Sequence, residues 1–190
     1  MHTISKDEFL ASKDIYIKKI RDGALFVYPT DTIYGIGCDA TNEEAVKLVR
    51  AAKERLYSPF SIIAPSIEWI ESNCEVNAQA RKWLKRLPGP FTLILQLKNE
   101  SIVTSSVNPG IHSIGVRIPD HWIKDIVKEL KIPIISTSVN KAGDEFMTSS
   151  ETIDTDIQSK VEFVISDGEK AGNPSTLVDL TSAIAKVTQR

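Results

Sequence analysis

The apolar residues at the start of the chain follow a helical spacing and then form a short continuous run. Apolar side chains recur at loosely helical spacing over residues 5–22, which predicts an amphipathic helix that Ser5 caps and Gly23 ends. The apolar run 24–28 stops at Pro29, as is typical of a buried strand. This strand should deliver the polar residues that follow it into a turn.

A second helix is predicted from a capping-box spacing and an apolar face. Thr41 and Glu44 are separated by three positions, so Thr41 should be the N-cap. The residues expected on the buried face are Ala45, Val46, Leu48, Val49 and Ala52. This helix carries Lys53 and Arg55 at its C-terminal end, beside a loop that reaches Pro59.

The rest of the chain alternates strands and helices without a strict βαβ order. Strands are predicted at residues 60–63, 91–97, 113–118, 133–138, 163–165, 176–180 and 183–187, and helices at 66–73, 77–87, 121–130 and 149–160. The predicted fold class is α+β, or mixed α/β, in a single domain over residues 1–190 with no additional C-terminal domain. Residues 99–112 form a predicted loop of a length typical of functional or mobile loops.

Composition restricts the class of protein. The chain has 190 residues, of which 42% are hydrophobic and 25% are charged, so it can bury a core. It has no run of about 18 apolar residues that would predict a membrane span, and the residues after Met1 do not resemble a secretion signal. Two cysteines make no disulfide framework, so we expect a cytoplasmic protein. Because the net charge is −2, any RNA contact would need a local basic patch.

Several common enzyme motifs are absent from the sequence. It contains neither a Walker A loop nor the Gly-x-Gly-x-x-Gly motif of dinucleotide sites. The three histidines, His2, His112 and His121, are not spaced as zinc ligands. We therefore predict no dedicated zinc site.

Three polar segments each allow a structural and a functional interpretation. Lys53 and Arg55 form either a solvated helix end, where the helix dipole favours cations, or a clamp for an anion. Arg117 lies in the apolar run 114–118, where a buried guanidinium needs either a ligand or a carboxylate partner. Residues 136–140 follow a predicted strand and could form a ligand-binding loop or a capped turn. The same ambiguity holds for the hydroxyls of Thr30 and Thr32.

Six short blocks of sequence, taken in order, resemble the YrdC/TsaC family of threonylcarbamoyl-adenylate synthases. The blocks are residues 29–40, 53–55, 88–92, 115–119, 136–140 and 175–180. The resemblance implies a YrdC-like fold, in which helices flank a twisted, mostly open β-sheet with a concave cavity lined by positive charge.

The resemblance also implies a reaction. L-threonine, bicarbonate and ATP, the last with Mg²⁺, would give L-threonylcarbamoyl-adenylate and pyrophosphate. Downstream transfer proteins would use this product to form N6-threonylcarbamoyladenosine in tRNAs. The attacking carbamate and the α-phosphate are both anionic, so positioning and charge stabilisation would supply the catalysis without a covalent enzyme intermediate. Mg²⁺ would be held mainly by phosphates and water, so no metal site built from protein side chains alone is expected.

By the same resemblance, each candidate residue receives a role. Lys53 and Arg55 would be catalytic and would bind the ATP phosphates. Further ATP contacts would come from Ser113, Ser138, Asn140 and Arg190. The threonine contacts would come from Thr30, Tyr34, Arg117 and Ser136. Arg117 would bind the threonine carboxylate, because a guanidinium does so in a bidentate geometry that lysine cannot reproduce.

Two segments differ from the family pattern. Residues 56–59 lack a proline and a Lys or Asn that usually follow the basic pair, and residues 144–148 replace a segment of Pro-Ser-Pro-Thr type. The alternatives are a YciO-like paralogue without synthase activity and a module that binds double-stranded RNA or tRNA in the same cavity. Asn140 favours the synthase, because the YciO-like branch tends to lack the Ser-x-Asn pattern of residues 138–140.

Overall fold

Alternation of side chains along the strands places apolar residues on both faces of one β-sheet. Ile62 and Ile135 belong to the larger apolar core, whereas their neighbours Ile63 and Ile134 belong to the smaller core on the opposite face. The computed structural model describes residues 2–55, 57–140, 146–170 and 172–189.

The described ranges contain ten strands and seven α-helices. The strands are β1 (His2–Ser5), β2 (Phe26–Tyr28), β3 (Gly35–Gly37), β4 (Ser61–Ile63), β5 (Phe91–Gln96), β6 (Ser113–Arg117), β7 (Ile134–Ser138), β8 (Phe163–Ser166), β9 (Thr176–Asp179) and β10 (Lys186–Thr188). The helices are α1 (Lys6–Ala11), α2 (Lys13–Arg21), α3 (Glu43–Lys53), α4 (Ile67–Asn73), α5 (Ala78–Leu84), α6 (Ile123–Leu130) and α7 (Thr155–Lys160). None of these helices is both long enough and apolar enough to cross a membrane.

The strands form one open, mixed sheet in the order β1, β8, β2, β3, β7, β4, β6, β5, β9, β10. The parallel pairs are β1 with β8, β2 with β8, β4 with β6, and β5 with β9, and the other neighbours are antiparallel. Residues of α3, α4, α5 and α7 join the larger core, and residues of α1, α2 and α6 join the smaller one. The prediction of a mixed α/β fold with an open sheet flanked by helices is confirmed.

The pairing of β7, β4 and β6 brings distant polar blocks together. Ser136 lies opposite Ser61, and Ser61 lies opposite Gly115 on the next strand. Arg117 follows Gly115 by two positions, so both project from the same face of β6. The middle of the sheet therefore presents hydroxyls, a glycine and an arginine side by side.

The predicted N-terminal helix is two helices that meet at Ser12. Ser5 caps α1 as expected, in a full capping box with Glu8. Leu10 and Ile15 are 43% and 59% exposed, so the buried face of this region is narrower than its apolar spacing indicates.

Two expectations for α3 are wrong. Its N-cap is Asn42, whose Oδ1 accepts a hydrogen bond from the Ala45 amide at 3.1 Å. Thr41 does not cap the helix, because its hydroxyl donates to the Asp39 carboxylate at 2.7 Å. Leu48 was expected on the buried face but is 56% exposed.

Residues 99–112 and 149–160 also differ from the predictions. The first segment contains a 3₁₀ helix, Glu100–Ile102, and packs Val103 and Val107 into the larger core. The second contains a 3₁₀ turn, Ser150–Thr152, followed by a separate helix, α7. This helix begins only at residue 155, because Asp154 caps it through the amides of residues 156 and 157.

Candidate functional site

A cavity lies over the polar middle of the sheet. The predicted site residues that line it are Thr30, Tyr34, Arg55, Arg117, Ser136 and Ser138. The other polar lining residues are Thr137, within the predicted 136–140 loop, and Ser61, Thr92 and Ser175, to which no contact was assigned. The cavity volume is about 100 Å³, below the roughly 300–1,000 Å³ of pockets that enclose drug-sized ligands, so a nucleotide would extend beyond it.

Arg117 is buried and already paired. Its Nη2 lies 2.6 Å from Oδ1 of Asp31 and 3.3 Å from the Thr32 hydroxyl, and the two charged side chains are 6% and 11% exposed. Burial lowers the pKa of Arg117, although the nearby Asp31 carboxylate acts to raise it. Its Nε has no hydrogen-bond partner among the described residues. Arg117 thus combines both interpretations, since it makes an ion pair and also lines the cavity.

Lys53 lies behind the cavity wall. Its ammonium donates to the carbonyl oxygens of Ser138 and Asn140, the latter at 2.6 Å, and lies 3.5 Å from the Asn140 side-chain oxygen. The residue is 1% exposed, and burial, with a smaller contribution from Arg55, lowers the pKa of the ammonium to about 7. In this arrangement Lys53 fixes the backbone of the 138–140 turn and is not part of the described cavity lining.

Arg55 reaches the cavity because the chain turns sharply after α3. Glu54 has a left-handed backbone with φ of 54°, which ends the helix and directs Arg55 towards Phe60. Arg50, one turn earlier in α3, donates to the carbonyls of Arg55 and Ser58 at 2.8 and 3.1 Å. A buried arginine that the sequence did not single out therefore shapes the loop that bears Arg55.

The hydroxyl and phenol groups of the 29–35 block are held by local bonds. Thr30 Oγ1 donates to the Ile33 carbonyl at 2.7 Å, accepts from the Thr32 amide at 3.1 Å, and lies 2.9 Å from the Thr32 hydroxyl. Tyr34 donates its phenolic hydrogen to the Gly168 carbonyl at 2.8 Å. These bonds preorganise the turn, so the structural interpretation holds for both threonines, and Thr30 also lines the cavity.

The remaining predicted contacts lie elsewhere. Ser113 is at the far end of β6, four residues from Arg117 and so about 13 Å away along the strand, and it is not in the cavity lining. Asn140 is not among the described lining residues, and it bonds to Lys53 and to the Ser138 hydroxyl. Arg190, Leu56 and residues 141–145 fall outside the described residues, whereas Phe146 lines the cavity.

Gly115 lies against two residues of the cavity lining, Ser61 and Thr92. A Cβ atom at this position would lie 2.5 Å from the Ser61 hydroxyl oxygen and 3.1 Å from the Thr92 methyl carbon. We expect Gly115→Ala to lower the free energy of unfolding by about 1–3 kcal/mol through overpacking and to reduce ligand binding at the cavity. Denaturant unfolding and calorimetric titration measure the two effects. Ser61→Ala should restore most of the stability in the double variant, and no restoration would contradict the clash.

The chain matches one family model and is similar to two named proteins. The Sua5/YciO/YrdC family model, described as "Telomere recombination", matches residues 18–190. A Methanocaldococcus jannaschii protein provisionally named a threonylcarbamoyl-AMP synthase is 35% identical over 190 residues, covering 95% of this chain and 86% of that protein. The threonylcarbamoyl-AMP synthase of Pyrococcus abyssi is 38% identical over 167 residues, covering 85% of this chain and 48% of that protein.

A solved structure is similar over nearly the whole chain. The crystal structure of Pyrococcus abyssi Sua5 complexed with L-threonine is 33% identical and superposes with a TM-score of 0.87. The superposition covers 98% of this chain and 56% of that one, so this chain spans about half the length of the Pyrococcus proteins.

Proposed function

The chain belongs to the Sua5/YciO/YrdC family, and we propose that it is a threonylcarbamoyl-AMP synthase, a nucleotidyltransferase that joins L-threonine, bicarbonate and ATP. One observation carries the proposal beyond family membership. Arg55 and Arg117 line a single cavity together with the hydroxyl-bearing turns at Thr30 and Ser138. That arrangement offers two cationic anchors and several neutral donors to an amino acid and a polyphosphate.

Arg117 is suited to the threonine carboxylate. The cavity is of amino-acid size, and the Arg117 guanidinium lines it while its Nη2 pairs with Asp31. A substrate carboxylate would therefore share the guanidinium with Asp31. Tyr34 and Ser136 would border the same molecule, since both line the cavity.

The nucleotide would extend from the cavity past Arg55. The guanidinium of Arg55 would meet the phosphates, where it would offset the repulsion between the carbamate anion and the α-phosphate. Lys53 would act one layer behind, because its ammonium holds the carbonyls of Ser138 and Asn140 in place. Positioned charge, with no side-chain nucleophile, would supply the rate enhancement.

Magnesium fits this site as a companion of ATP. No group of three His, Cys, Asp or Glu side chains converges within the described ranges, so phosphate oxygens and water would be the main ligands. The ion would neutralise phosphate charge. We further propose that the product passes to threonylcarbamoyl-transfer proteins that modify tRNA.

The direct test is pyrophosphate release by the purified protein with ATP, Mg²⁺ and bicarbonate, with and without L-threonine. We expect release to depend on threonine. Stabilisation by ATP alone, without threonine-dependent release, would favour the YciO-like alternative. Salt-sensitive binding of double-stranded RNA without release would favour the RNA-binding module.

Arg55→Ala should mainly damage the use of ATP. Loss of one charge-assisted phosphate contact costs on the order of 2–4 kcal/mol, so kcat/KM for ATP should fall roughly 30-fold to 1,000-fold. The KM for threonine should change little. Arg86→Ala is the matched control, because it removes the same charge from a guanidinium stacked between Trp83 and Phe91, outside the cavity lining. Equal losses in both variants would contradict the phosphate role.

A further inference from the structure

The aromatic wall of the cavity is held from behind by one short segment. The Tyr34 hydroxyl donates to the Gly168 carbonyl at 2.8 Å and accepts from the Asp167 amide at 3.0 Å. Burial raises the pKa of this phenol, so it remains protonated and can make both bonds at neutral pH. The position of the Tyr34 ring at the cavity therefore depends on where residues 166–170 lie.

The Asp167 carboxylate anchors that segment to the start of α6. Its Oδ2 accepts a hydrogen bond from the Trp122 indole at 2.9 Å and lies 2.9 Å from Nε2 of His121. Lys170 donates to the Asp167 carbonyl at 2.7 Å and has its ammonium 3.7 Å from the carboxylate. Burial opposes ionisation of Asp167, but Trp122, Lys170 and His121 together lower its pKa, so the anchor is a carboxylate at neutral pH.

Arg117, which lines the same cavity, is linked through Asp31 to the same turn, residues 120–122. Asp31, which pairs with Arg117 through Oδ1, accepts a hydrogen bond from the Asp120 amide through Oδ2 at 2.9 Å. Two carboxylates thus bond to residues 120–122. One is Asp31, which pairs with Arg117, and the other is Asp167, whose segment holds Tyr34. Two residues on the predicted threonine side of the cavity are positioned against one common support.

We propose that Asp167 is a positioning residue for the threonine side of the site. Its carboxylate pins residues 166–170 to Trp122, and the backbone of that segment fixes the Tyr34 hydroxyl. The inference rests on the proposed function. Asp167 acts through Tyr34 and is not in the described cavity lining, so it is expected to control the binding of the amino acid and not the chemical step.

A double-mutant cycle tests this coupling. Asp167→Ala frees the segment, and Tyr34→Phe removes the hydroxyl through which the segment acts. Each single change should raise the KM for threonine roughly tenfold, with kcat and the KM for ATP within about twofold of the parent values. The double variant should be no worse than either single variant, because both changes break one chain of contacts.

A conservative variant separates positioning from general loss of structure. Asp167→Asn retains an oxygen that can accept the Trp122 hydrogen bond, so it should recover most of the threonine KM. A purely structural defect would lower the active fraction, and kcat would then fall at unchanged KM. That result, or multiplicative KM effects in the double variant, would overturn the proposal.

Amide hydrogen exchange gives a measurement that does not depend on synthase activity. Because the Asp167 amide donates to Tyr34, Tyr34→Phe should accelerate exchange of that amide by about tenfold in the ligand-free protein. Unchanged exchange would overturn the positioning contact even if the enzyme is active. Accelerated exchange in a protein without threonine-dependent pyrophosphate release would support the contact while rejecting the proposed function.

Discussion

Arg117→Ala is expected to abolish threonine-dependent pyrophosphate release and to lower the free energy of unfolding by about 3–5 kcal/mol. The stability loss follows from burial. Arg117 and Asp31 are 6% and 11% exposed, so removing the guanidinium leaves a carboxylate in the interior without its counter-charge. The loss of activity would have a separate cause, because the threonine carboxylate would lose the bidentate partner that we propose for it.

A double variant separates these two effects. Arg117→Ala with Asp31→Ala removes both charges, so most of the lost stability should return, since no unpaired charge stays buried. Threonine binding should not return. Denaturant unfolding measures the first quantity and calorimetric titration of L-threonine measures the second. Threonine affinity equal to that of the parent in the double variant would show that Arg117 serves only as a structural partner of Asp31.

Asp31 illustrates what sequence could and could not predict at this site. The sequence predicted that a buried Arg117 needs an anion, but it left open whether that anion is a ligand or a side chain. The partner lies 86 residues away along the chain. Only the pairing of strands from distant blocks brings it within 2.6 Å of the guanidinium.

Secondary structure was predictable where local signals agreed. The strand at residues 24–28 was predicted from its continuous apolar run, and β2 is fully buried there. Strand β3 was not predicted, because two of its three residues are glycines, which are depleted in strands. At Gly37 the close approach of the neighbouring strand requires a glycine, since a Cβ there would lie 2.5 Å from the Ile135 carbonyl oxygen.

The sequence predicted that Lys53 and Arg55 lie at the end of α3, but it did not predict the different surroundings of the two side chains. Helical periodicity placed Lys53 and Arg55 near a helix end, where both could be solvated. In the structure Lys53 is 1% exposed and bonds to the 138–140 turn, whereas Arg55 lines the cavity. The difference arises from the left-handed residue Glu54, whose conformation is not encoded by a glycine or asparagine at that position.

Arg50→Ala should disable ATP use without removing any group predicted to touch ATP. The Arg50 guanidinium stacks 4.4 Å from the Phe60 ring and donates hydrogen bonds to backbone carbonyls of two separate segments. Those carbonyls belong to Arg55, Ser58, Ser106 and Val107. Arg50 is only 6% exposed, so its removal would leave several backbone carbonyls without a donor in the interior. We therefore expect the free energy of unfolding to fall by about 3 kcal/mol.

The effect on ATP use follows from geometry. Arg55 lies in the loop that Arg50 holds, so its guanidinium should sample many positions once the loop is released, and kcat/KM for ATP should fall at least tenfold. Arg50→Lys should recover little, because an ammonium cannot serve carbonyls on both segments as a planar guanidinium does. Lys47→Ala, on the exposed face of the same helix, should change stability by less than about 0.5 kcal/mol and leave kinetics unaltered. Full ATP kinetics in a destabilised Arg50→Ala protein would mean that Arg55 holds its position independently, and the loop would then owe its shape to Glu54 and Phe60 instead.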